Sequence, residues 1–163
     1  MKLKTTLSLN TAQKIVDGAL AVGRTENMQP LTVVVLDAGG RVVASQSEDG
    51  SGIVRFEIAL GKARAGLGMG HSSRAVRDRL SKRPVFLNAI AAASDGRFIP
   101  VPGGVLLADA DGLAIGAVGI SGDTSEKDEY ACIEGAKAAG VACDPAEPDP
   151  NWRESSGSDI KDD

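Results

Sequence analysis

Ala12, Ile15, Val16, Ala19 and Val22 recur at the three-and-four spacing that brings side chains onto one face of a helix, and Ser8 or Asn10 can cap its first amides. The spacing predicts an amphipathic helix over residues 8–22. After Pro30 the pattern changes to an unbroken apolar and β-branched run over residues 31–36, as in a strand covered on both faces. Asp37, Ala38, Gly39 and Gly40 supply turn chemistry, and Val42, Val43 and Ala44 continue into a second strand over residues 41–46.

Helical spacing returns with Ile53, Phe56, Leu60, Ala63 and Leu67 and dissolves at Gly66, Gly68 and Gly70. Ser72 or Ser73 can cap a short helix rich in cations (Arg74, Arg77, Arg79, Lys82 and Arg83), and Pro84 then opens an apolar helix through Ala93. Residues 98–101, 105–108 and 113–120 read as a three-stranded meander, turned at Pro102-Gly103-Gly104 and at residues 109–112. Gly116 and Gly119 in its last strand leave room for a packed helix. Asp123 or Thr124 caps a final helix to Ala139, with acids at 123, 126, 128 and 129 near its positive end and Gly140 beyond it. From residue 144 the chain is polar and proline-rich, an extended acidic tail over 144–163 that Trp152 can anchor, while residues 1–143 form one domain.

With 163 residues, 42% hydrophobic and 25% charged, the chain can bury a core without staples. Only 3% is aromatic, so aliphatic side chains fill that core and few rings remain to stack on bases. A net charge of −4 also argues against a nucleic-acid partner, which needs cations to displace counterions. Thr5 and Thr6 interrupt what would have to be the apolar run of a signal peptide, and no stretch is apolar for long enough to span a membrane; a cytoplasmic protein is expected. Cys132 and Cys143 are too few for a disulfide scaffold and lack metal-finger spacing.

Three blocks, Val35-Leu36-Asp37-Ala38-Gly39-Gly40, Pro102-Gly103-Gly104-Val105 and Ile115-Gly116-Ala117-Val118-Gly119-Ile120-Ser121-Gly122 leading into Asp128-Glu129, occur in the order of elements just read. In this combination residues 7–140 resemble the GlcG/HbpS haem-binding-like family, which is related to the C-terminal part of PduO-type proteins. The resemblance implies an α+β fold, a five-stranded antiparallel sheet flanked by helices like that of profilin and PAS domains. It also implies a homo-oligomer, often an octamer, that binds a small molecule such as haem or a corrinoid.

Haem asks for an axial donor and for cations to receive its propionates. His71 is the single histidine, between Gly70 and Ser72, with Met69 and the arginine cluster near it in sequence. It is the candidate metal ligand, and Arg74 is the candidate partner for a ligand carboxylate. A hydrogen-bonded histidine in a loop and a solvated basic helix face are the plainer readings of the same residues. Pro102, Gly103 and Gly104 complete the candidate site as the lining of a small-ligand pocket, with a tight turn as the alternative. The turn over residues 119–123 superficially resembles a phosphate loop or a nucleophile elbow. It lacks the lysine of the first and has Asp123 in place of the second glycine of the other, so it reads as a capped helix start. Asp37, Asp49, Glu57 and Asp95 are carboxylates for an acid–base enzyme of small organic-acid or aromatic catabolism, with no spacing that pairs any two. A structural assembly module without a ligand is the third alternative.

Overall fold

The computed structural model describes residue 1 and residues 4–156. The elements follow as α1 (Leu9–Thr25), β1 (Thr32–Asp37), β2 (Val42–Ser47), α2 (Arg55–Met69), α3 (Ser73–Leu80), α4 (Pro84–Ala93), β3 (Gly104–Ala108), β4 (Ala114–Ser121), α5 (Ser125–Ala138) and β5 (Ala142–Asp144). The strands form one antiparallel sheet in the order β2-β1-β4-β3-β5. This is the expected α+β architecture.

Because side chains alternate along a strand, the apolar run of β1 serves two cores at once. Val33 and Val35 join Val105, Leu107, Val118 and Ile120 beneath α1 and α5. Val34 and Leu36 join Leu106 and Ala117 beneath Ala59 and Ala63 of α2. The sheet is thus the middle layer, with two helices on one face and α2 on the other. Gly119 is what lets α2 approach: a Cβ there would lie 2.0 Å from the Ala59 carbonyl oxygen. At Gly116 the space is taken by the Leu36 carbonyl oxygen of β1, 2.1 Å from where its Cβ would be, and not by a helix.

The caps read from sequence are in place: Ser8 on α1, Ser72 on α3 and Thr124 on α5 each accept a hydrogen bond from a first-turn amide. Ile53, expected on the buried face of the second helix, precedes that helix and is 93% exposed. The strand expected over residues 98–101 does not form. That segment crosses α2, where the Ile99 amide donates to the Gly61 carbonyl and the Ile99 side chain fills the space over Gly61. Pro102-Gly103-Gly104 is accordingly the entry to β3 and not a turn between two strands.

The fifth strand is instead β5, which pairs with β3 through Leu106↔Asp144, Leu107↔Cys143 and Ala108↔Ala142. The chain then runs back over α5 to Trp152, which is 6% exposed and stacked on Tyr130 with ring centroids 3.7 Å apart. The anchoring role expected of Trp152 is therefore met. The end of the expected tail, residues 157–163, lies outside the described residues. Among the described residues no helix is long and apolar enough to cross a membrane.

Candidate functional site

The connection between α2 and β3 carries most of the candidate residues. α2 ends at Gly70 in the left-handed conformation, φ 67°, and His71 follows with its amide on the Gly66 carbonyl. The imidazole Nε2 is hydrogen-bonded to the Arg79 guanidinium. Since arginine can only donate, Nε2 acts as the acceptor. His71 is therefore held by α3 and turned toward its cations.

Arg74 points the other way, into the body of the fold. Its Nε lies 3.3 Å from Glu129 Oε2 on α5, and its Nη2 donates to the Glu147 carbonyl oxygen at 3.0 Å. Burial pushes the Glu129 carboxyl up to about 7, against the pull of Arg74 and Arg77. Arg77 pairs with Asp78 at 2.9 Å and reaches Glu126 at 3.8 Å.

Beyond α3, Lys82, Arg83, Pro84, Val85, Phe86 and Ala89 border a hollow of about 470 Å³, with the Arg83 guanidinium 4.6 Å above the Phe86 ring. α4 continues from there as Pro-Val-Phe-Leu-Asn-Ala-Ile-Ala-Ala-Ala, uncharged, and none of its residues is buried. Val85 is 83% exposed.

Pro102, Gly103 and Gly104 are all buried. Ser73 clamps the segment to the start of α3: the Gly104 amide donates to Ser73 Oγ at 2.8 Å, and Ser73 Oγ donates to the Gly104 carbonyl at 3.1 Å. Gly103, at φ 107°, lies where α2 and α5 meet around the end of the sheet. A Cβ there would come within 2.9 Å of Lys62 Nζ and 3.0 Å of Asp128 Cβ. The structure thus brings Gly103 and Gly104 to the base of α3, near Arg74 in the chain, while the α3–α4 hollow is bordered by none of the three.

Sequence reasoning missed the polar group behind this segment. Lys62 and Asp128 form an ion pair at 2.8 Å with side chains 3% and 1% exposed. Burial pushes the Asp128 carboxyl up to about 6, although Lys62 opposes it. Cys132 donates to the Gly103 carbonyl at 3.3 Å, and burial raises its thiol well above the ordinary value. The signal is a lysine within the apolar stripe Ala59, Lys62, Ala63 and Gly66; Asp128 and Glu129 lie where acids also complement the positive end of α5, which hides their burial.

The other expected carboxylates are not assembled. Asp37 closes the first hairpin, accepting from the Gly39 and Arg41 amides and from Arg41 Nε; burial works against its charge, yet these bonds hold it below the usual carboxylate range. Asp49 follows β2, Glu57 lies on α2 and Asp95 follows α4. Among the described residues no three His, Cys, Asp or Glu side chains are grouped to hold a metal ion.

A family model described as haem degrading protein HbpS-like matches residues 7–137, well over half of the chain. The chain belongs to this family. Among solved structures, PduOC in complex with haem is 24% identical, with a TM-score of 0.74 over 83% of this chain and 96% of that one. HbpS is 22% identical, with a TM-score of 0.71 over 84% and 92%. Protein ORFY of Klebsiella pneumoniae is 23% identical, with a TM-score of 0.75 over 86% and 94%. At these identities the likeness establishes the HbpS-like fold. No curated protein matches the sequence.

Proposed function

We propose that this HbpS-like protein is a self-assembling small-ligand-binding protein whose ligand is a planar apolar anion of the haem class, held at the α3–α4 corner. The observation that carries the reading is α4, ten uncharged residues none of which is buried, beside the cations of α3 and the α3–α4 turn. A porphyrin with propionates presents the complement: an apolar plate to cover the helix and carboxylates to meet Arg79, Lys82 and Arg83, with Arg74 joining them only when it leaves Glu129 and the Glu147 carbonyl. A corrinoid would use the same apolar face, with peripheral amides in place of carboxylates.

The donor set has also to fit. Cys132 is sealed in the core, Cys143 is half-buried with its thiol raised to about 11, and Tyr130 is stacked on Trp152. His71 is the side chain suited to the iron, and it must first leave Arg79. Of Pro102, Gly103 and Gly104, the last supports the site indirectly by fixing α3 through Ser73. Haem binding in the PduOC complex supports the choice of ligand. The remaining apolar surface of α4 is covered by a second copy, in a closed homo-oligomer such as an octamer.

Haemin titration followed near the Soret band tests the reading, with wild type and His71→Ala compared and particle mass measured by light scattering. A saturable shifted band that is lost in the variant, on particles larger than one chain, is the expected result. Haemin that gives no saturable band overturns the choice of ligand.

A further inference from the structure

Glu129 is completely buried on α5, and neither of its carboxylate oxygens has a hydrogen-bond partner. Arg74 Nε, at 3.3 Å, is close enough to attract it but too poorly aligned to bond it. The charged groups that act on it come from three elements. Arg74 and Arg77 approach from α3, Asp149 from the segment after β5, and Glu126 from α5 itself, where the buried, uncharged Cys132 thiol also faces it. Its neighbour Asp128 is turned to Lys62 of α2. Arg74 also ties α3 to the Glu147 carbonyl, so α3 and residues 147–149 together form the cover over this carboxylate.

An acid with no donor to its oxygens is more stable in this position with its proton than without. Moved into water it would ionise at an ordinary carboxylate value. The covered state therefore binds the proton more tightly than an uncovered state, and rising pH favours uncovering. Burial pushes this carboxyl up to about 7, which places the change near neutrality.

We propose that Glu129 is a proton-operated release for α3: ionisation of its carboxylate drives α3 and residues 147–149 off α5 and frees the Arg74 guanidinium. Asp149 and Glu126 add to the push as like charges, while Arg74, the nearest cation, and Arg77, already shared with Asp78 and Glu126, oppose it; the cost of burying the charge outweighs both. The consequence for binding, that Arg74 becomes available to a ligand carboxylate as pH rises, rests on the ligand site assigned above. The movement itself does not.

Hydrogen exchange of the full chain without ligand, corrected for the intrinsic pH dependence of exchange, tests the movement at pH 6 and pH 8.5. Amides of α3 and of residues 147–152 are expected to lose at least about tenfold in protection at the higher pH, and to keep it in Glu129→Gln. Protection in wild type that does not change with pH, or that changes equally in the variant, overturns the proposal. A carbon-detected NMR titration of the Glu129 carboxyl in the unmodified protein needs no variant: a midpoint near neutrality supports the release, and one in the ordinary carboxylate range overturns it. Because both measurements are made without haemin, a failure of haemin to bind refutes the ligand assignment alone.

Discussion

Lys62 of α2 reaches Asp128 of α5 at 2.8 Å through the space that Gly103 leaves empty. The two helices lie on opposite faces of the sheet, and their ion pair closes around the end of β3, where any side chain at 103 would stand between them. Gly104 continues the same demand one residue later, since a Cβ there would lie 2.2 Å from the Lys62 carbonyl oxygen. Two consecutive glycines therefore let α2, α3 and α5 converge on one strand end.

Gly103→Ala should accordingly destabilise the protein by about 2 kcal/mol or more, because it strains a backbone at positive φ and crowds a buried charge. Urea unfolding of the variant measures this; a midpoint equal to that of wild type would show that Lys62 can move aside freely.

Removing one member of the pair is a different perturbation from crowding it. Lys62→Ala leaves the Asp128 carboxylate buried without its cation and is expected to cost about 3–5 kcal/mol. Lys62→Met combined with Asp128→Leu removes both charges and should regain much of that loss. If the double variant is no more stable than Lys62→Ala, side-chain packing and not charge governs this position.

Much of this arrangement was legible in the sequence, and the exceptions share a cause. Period and capping residues located the helices because the local chain chooses them: Ser8, Ser72 and Thr124 cap wherever tertiary contacts fall. The β1–β2 hairpin was equally local, since Asp37 folds its own turn. β5 was not legible because Ala142, Cys143 and Asp144 carry no alternation and become a strand only by meeting β3. Residues 98–101 had the composition of a strand but were captured by Gly61 of α2, a contact distant in sequence. The candidate site follows the same division: the basic helix and His71 were visible, whereas the acids opposite them were read as helix-dipole partners.

The buried acids set a stability profile with a definite sign. Asp128 and Glu129 have folded-state values of about 6 and about 7, above their ordinary values of 3.8 and 4.5. For each, the folded state binds the proton more tightly, so their contribution is full below the ordinary value and is lost as pH rises through the folded one. Asp37 and Asp123 are shifted down, so theirs is present above 3.8 and lost as pH falls through their lowered values. Denaturant unfolding should therefore show higher stability near pH 5 than near pH 8, with a separate loss in strong acid. Glu129→Gln should reduce the fall between pH 5 and 8; an unchanged slope would assign that fall to other groups.

Trp152 offers a way to follow the segment after β5, being the single tryptophan of the chain. It lies flat against Tyr130, 11° from parallel, with Arg153 above it at 4.4 Å. Truncation to alanine should cost about 3 kcal/mol, as for a buried aromatic side chain, and remove the near-ultraviolet dichroism of the pair. A loss below about 0.5 kcal/mol would show that the segment covers α5 without stabilising it.

The apolar face of α4 separates stability from assembly. Since no residue of α4 is buried within the chain, a charge placed on it removes little from the folded monomer. Val85 and Phe86, 83% and 40% exposed, are the positions to change. If a second copy covers them, Phe86→Glu forces a carboxylate into an apolar contact and should shift light scattering toward the mass of one chain, while circular dichroism shows the chain still folded. Haemin affinity should fall in the same variant, because the aromatic ring beneath Arg83 is lost. An oligomer that survives Phe86→Glu together with Val85→Asp would place the assembly contact elsewhere and leave α4 to the ligand alone.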